Sequence, residues 1–90
     1  MRKIENDMNT AIARRINWKF DNTSVVRGES LSSVFLHGNH IAVVHDNGEV
    51  DVNEATLSRW PTNTTVSRLR ALGVNLTRQR GRMYLNGVEV

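Results

Sequence analysis

The sequence predicts a small α+β domain, an antiparallel sheet with helices packed on one face. Three observations point there. Residues 4–16 carry apolar side chains at helical spacing, and residues 32–52 alternate around two glycine-containing turns. Residues 74–90 repeat the alternating pattern after a second helical segment. The expected order is α-β-β-β-β-α-β-β-β in a single domain over residues 1–90. At 90 residues and 39% hydrophobic content the chain can build one modest core.

The first helix rests on Ile4, Met8, Ile12 and Ile16, which recur every fourth residue with Ala11 beside them. Arg14 and Arg15 fall in its last turns, where cations complement the helix dipole. A strand through Val25 and Val26 follows. The stretch 32–52 then reads as a three-stranded meander. Gly38-Asn39 suits a two-residue turn and pairs Leu36 with Ile41 and Val34 with Val43. Asn47-Gly48 pairs Val43 with Val52 and His45 with Val50. The expected core face is Val34, Leu36, Ile41, Val43, Val50 and Val52; the other face carries Ser33, Phe35, His37, His40, Ala42, Val44 and Asp51.

Pro61 interrupts regular structure, and Thr64 or Thr65 can cap a helix starting near Val66. Val66, Leu69 and Leu72 form its apolar side, with Arg68 directed away and Arg70 at the border. Gly73 suits the position just past its end. A turn at Arg80-Gly81 then pairs Leu76 with Leu85 and Arg78 with Met83, and Asn86-Gly87 pairs Leu85 with Val88.

Twelve Lys/Arg against nine Asp/Glu leave a net charge of +3, unevenly spread. Residues 46–54 sum to −4 and residues 55–90 to +5. Ten of the twelve cations are arginine, whose planar fork suits phosphate or carboxylate. The absence of cysteine excludes disulfides, thiolate metal sites and a cysteine nucleophile. No apolar run reaches the roughly 20 residues of a membrane helix, and no signal peptide opens the chain. A non-membrane, cytoplasmic protein is expected.

Two groups of residues are candidates for binding. Arg59, Thr64, Thr65, Arg68 and Arg70 combine hydroxyls at a helix start with nearby cations, an arrangement suited to an anion. Arg78, Arg80, Arg82 and Tyr84 form a basic and aromatic group suited to a phosphate backbone or a stacked base. For each group the competing reading is a capped helix or turn with solvated arginines. Phe35, His37 and His40 form a possible partner patch on the second sheet face. His45 alternates away from His37 and His40, so three metal ligands do not converge. No nucleophile elbow or phosphate loop is present. The expectation is therefore no cofactor, no metal and no catalytic residue.

The runs Ile4-Glu5, Met8, Ala11-Ile12, Asn17-Trp18, Leu36-His37-Gly38-Asn39-His40 and Thr64-Thr65-Val66-Ser67-Arg68-Leu69 resemble a family of short proteins of tailed bacteriophages. The resemblance spans nearly the whole chain. It implies a small accessory protein made in the cytoplasm of an infected host, and it brings no catalytic residues. The functional expectation is a non-enzymatic protein that binds and modulates a host protein or nucleoprotein complex. The alternative is a nucleic-acid-binding module using its arginine-rich C-terminal surface.

Overall fold

A computed structural model describes all 90 residues, Met1–Val90. The chain runs α1 (Lys3–Arg14), β1 (Trp18–Phe20), β2 (Thr23–Arg27), β3 (Leu31–Leu36), β4 (Asn39–His45), β5 (Val50–Val52), α2 (Glu54–Arg59), α3 (Asn63–Ala71), β6 (Leu76–Gln79), β7 (Arg82–Leu85) and β8 (Val88–Glu89). The first five strands form an antiparallel sheet in sequential order, and the last three form a smaller one. The α+β class stands as expected. Two elements were not expected, the edge strand β1 and the short helix α2. Both are too short to show a period, six residues at most.

Helix α2 starts at Asn53, whose side chain accepts a hydrogen bond from the Thr56 N–H at 3.1 Å. It stops at Trp60, where Pro61 disfavours helical backbone in the preceding residue. Helix α3 is capped by Thr62, whose Oγ1 accepts from the Thr65 N–H at 3.1 Å. The cap therefore lies two or three residues before the expected Thr64 or Thr65, and Thr65 itself is buried. At the other end Gly73 has φ +93°. Its N–H bonds to the Arg70 carbonyl and the Val74 N–H to the Leu69 carbonyl, closing the helix in a left-handed cap.

The meander departs from the expected register at both turns. His37 (φ +52°) and Gly38 (φ +78°) form the β3–β4 turn, so Leu36 faces Asn39. Two successive positive φ values are what a type I′ turn demands. The pairing then shifts: Phe35 faces His40 while Val34 faces Ala42, leaving Ile41 as the extra residue of a β-bulge. At the next turn Asp46, Asn47 and Gly48 form a three-residue loop, with Gly48 at φ +94°. Val44 therefore faces Val50, and Ala42 faces Val52. The bulge turns over the part of β4 that follows it, while His40 and the buried Ile41 keep their expected sides, and the three-residue loop restores β5. Ala42 and Val44 face the core and Val43 faces outward, the reverse of the expectation. Val34, Leu36, Val50 and Val52 keep their expected side. The bulge lets the adjacent Ile41 and Ala42 both be buried. In the small sheet the expected pairs Leu76 with Leu85, Arg78 with Met83 and Leu85 with Val88 are all present.

One core holds the molecule together. Met8 from α1, Val25, Val34, Leu36, Ile41 and Ala42 from the large sheet, Leu57 from α2, Val66 and Leu69 from α3, and Leu76 and Met83 from the small sheet form one buried cluster. All three helices and the small sheet thus lie on the same face of the five-stranded sheet. The opposite face is bare. Helix α1 is rotated from the expected stripe: Glu5, Met8 and Ala11 are buried, while Ile16 lies beyond the helix and is exposed.

Candidate functional site

The rotation of α1 has a specific cause. Glu5 and Arg68 are both buried, and Arg68 Nη1 donates to Glu5 Oε2 at 2.8 Å. Ser67 Oγ donates to the same carboxylate oxygen at 2.6 Å. Arg68 Nε donates to Thr23 Oγ1 at 3.0 Å, and Nη2 donates to Asn22 Oδ1 at 3.3 Å. A buried charge is tolerated when it is paired and its remaining hydrogen-bonding positions are used. Burial alone would raise the Glu5 carboxyl pKa. The hydrogen bonds from Ser67 and Arg68, and a backbone bond from Arg2, outweigh it and hold the group below its ordinary value of 4.5.

This network ties α1 to α3 and to the β1–β2 turn. The expectation that Arg68 points away from the core is therefore corrected: its guanidinium is engaged inside and is not presented to a partner. The run Thr64-Thr65-Val66-Ser67-Arg68-Leu69 supplies core packing and the buried ion pair. Sequence reading missed Glu5, although one signal was available. A single carboxylate interrupts the apolar face of the first helix; which of the two arginines of α3 answers it had no local signal.

The other candidate arginines are dispersed. Arg59 lies over the Trp60 ring, 5.3 Å from its centroid. Arg70 Nε donates to the Leu76 carbonyl at 3.0 Å. Arg78 donates to Asn63 Oδ1 at 2.8 Å and also to the Pro61 carbonyl. Arg2, Arg70 and Arg78 line one open concavity between α1, α3 and β6. Strand alternation puts Arg82 and Tyr84 on the other face of the small sheet, where Gln79 faces Arg82 and Thr77 faces Tyr84. Arg80 stands at the turn tip with φ +53°, and Arg82 lies 3.6 Å from Glu89. Thr64 is half-buried on α3. The arginine-rich C-terminal third is thus not one surface.

The bare face of the large sheet is better defined. Register places Lys19, Ser24, Val26, Leu31, Ser33, Phe35, His40, Val43, His45 and Asp51 on it. Val26, Leu31, Phe35 and Val43 spread over three strands of it, with Ser33 between Val26 and Val43; Val26 is 49% exposed and the other three are half-buried. Phe35 and His40 meet edge to face at 5.3 Å. The expectation that His45 points away from His40 is corrected: the bulge at Ile41 shifts the alternation by one and brings both to this face. His45 Nε2 lies 2.7 Å from Asp51 Oδ2. Two of the three residues of the expected patch, Phe35 and His40, are on this face, whereas His37 sits in the β3–β4 turn. His40 Nδ1 lies 3.2 Å from Asn53 Nδ2 at the start of α2. No group of three metal-ligating side chains comes together, and no helix is long and apolar enough to cross a membrane.

These features define a small α+β domain with one covered and one bare sheet face. The chain belongs to the Kyanoviridae Gp96 protein family, a cyanophage family whose model matches residues 1–89. Neither a curated protein nor a solved structure matches it. The phage origin implied by the sequence resemblance is thus shown, and the family description names no activity.

Proposed function

We propose that the protein is a non-enzymatic phage accessory protein that binds and modulates a host protein, and that it docks through the bare face of its five-stranded sheet. The observation carrying this reading is the set of Val26, Leu31, Phe35 and Val43, left uncovered while three helices and a second sheet crowd the opposite face. Apolar side chains with Ser33 among them and Ser24, His40 and His45 beside them suit a partner with a complementary apolar patch and hydrogen-bonding groups. Charge argues for protein over nucleic acid at this face. Its only lysine or arginine is Lys19, offset by Asp51, so it offers little to a phosphate backbone.

The test is affinity capture from infected host lysate, with nuclease treatment, using the wild type, Phe35→Asp and Arg80→Ala/Arg82→Ala. The expected result is a stoichiometric host protein that survives nuclease, is lost with Phe35→Asp and is kept by the arginine variant. Recovery that vanishes with nuclease, or is indifferent to Phe35→Asp, overturns it.

A second reading, direct nucleic-acid binding, rests on the concavity lined by Arg2, Arg70 and Arg78. Its one carboxylate, Glu5, is already neutralised by Arg68. It predicts affinity that falls steeply with salt and drops on Arg70→Ala.

A further inference from the structure

Away from the bare face, the end of the sheet holds a partly enclosed cleft of about 260 Å³. The β3–β4 turn supplies His37 to it, the start of β4 supplies Asn39, α2 supplies Thr56, and the α2–α3 connection supplies Trp60 and Thr62. Leu36 and Ile41, both buried, form its apolar floor. The Leu36-His37-Gly38-Asn39 run and the residues before α3 thus meet at one place although more than twenty positions separate them in sequence.

We propose that this cleft binds a nucleobase, with Trp60 as the aromatic wall. Its size suits one heterocycle and falls below the roughly 300–1,000 Å³ of pockets that enclose a whole drug-sized ligand. The Trp60 indole is 43% exposed, and every base offers a π-face to such a ring. The polar rim suits the edge of a base. The Asn39 amide carries both donors and an acceptor, and neither it nor the side chains of Thr56 and His37 has a hydrogen-bond partner within the chain. Thr62 and Thr65, by contrast, bond to each other at 2.9 Å and serve the helix cap.

Charge points the same way. No carboxylate lines the cleft. Arg59 lies over Trp60, and Arg78 is anchored on Pro61 and Asn63, so two cations flank the loop that carries the indole. Neither lines the cleft itself, so the base and not its phosphate is the group recognised, whether it belongs to a free nucleotide or to a single strand. The cleft does not depend on the protein-docking face, and either can fail without the other.

The experiment follows backbone amide resonances of the full chain during titration with three probes: the four deoxynucleoside 5′-monophosphates, deoxyribose 5-phosphate and a single-stranded oligothymidylate. Saturable shifts confined to residues 36–41 and 56–65 are expected with base-containing probes and not with the sugar phosphate. Asn39→Ala and Thr56→Val should each weaken binding about tenfold, equivalent to about 1.4 kcal/mol. Trp60→Ala should weaken it at least as much. Tighter binding of the strand than of thymidine monophosphate identifies a strand as the source of the base; equal affinities identify the free nucleotide. Either supports the cleft. Shifts centred on Arg80 and Arg82, an equal response to deoxyribose 5-phosphate, or unchanged affinity in all three variants overturns it. Thr56→Val nearly preserves side-chain shape, so its loss of binding does not report misfolding.

Discussion

Arg68 and Glu5 illustrate how much one residue pair decides here. Removing one partner of a buried, hydrogen-bonded ion pair leaves the other charge stranded and costs about 3–5 kcal/mol. Arg68→Met should therefore lower unfolding stability by that amount in urea denaturation, while Arg80→Met, on the exposed turn, should change it by less than about 0.5 kcal/mol. Adding Glu5→Leu to Arg68→Met should recover part of the loss, because no charge then remains buried. The pair also gives a pH dependence. The Glu5 pKa is depressed in the folded state, so the unfolded chain binds that proton more readily. The stabilisation is present above the ordinary value of 4.5 and is lost as pH falls through the folded value. Asp46, held below 3.8 mainly by the hydrogen bond from Arg27, acts in the same direction at the surface. Stability measured from pH 6 downward should fall less steeply in Glu5→Gln than in the wild type, from a lower starting point.

Helix α3 and the β3–β4 turn show what local pattern can and cannot specify. A helix near Val66 ending at Gly73 was legible from the hydroxyl-rich start, the apolar spacing and the glycine. The choice of Thr62 over Thr64 or Thr65 was not, because all three carry the same capping oxygen. Burial of Thr65 against the core removes one of the three, and the observed cap is Thr62. Thr62→Ala should cost about 1 kcal/mol, and Thr64→Ala should fall within about 0.5 kcal/mol, both read from thermal or urea unfolding. The turn is a similar case. The sequence reading placed a two-residue turn at Gly38-Asn39, and the fold places it one residue earlier, at His37-Gly38. Gly38 has φ +78° with open space around it, so Gly38→Ala meets no clash but must hold an L side chain in left-handed backbone. That should cost about 1–2 kcal/mol. The bulge at Ile41 had no local signal at all, since it exists to bury two consecutive residues against elements more than a dozen positions away.

For the whole molecule, the sheet separates the core from the surface we propose as the docking face. The covered face carries the core, and the bare face carries Val26, Leu31, Phe35 and Val43. Leu57→Ala, within the core, should cost about 2–5 kcal/mol. Phe35→Asp, on the bare face, should leave a folded domain by circular dichroism while abolishing partner capture. A variant that fails both measurements would show that Phe35 serves the fold and not the interface.

The sequence by itself determined the α+β class, the two meanders, the second helix with its glycine stop, and most of the core residues. Each follows from short-range chemistry: side-chain period, turn residues and caps. Tertiary structure alone decided which way α1 and β4 face. The rotation of α1 comes from a carboxylate that finds its arginine 63 residues later, and the reversal of β4 past Ile41 comes from a bulge that packing makes worthwhile. It also decided where the arginines go, scattering most of them and burying one. Position in space follows from contacts between distant segments, and no window along the chain contains them.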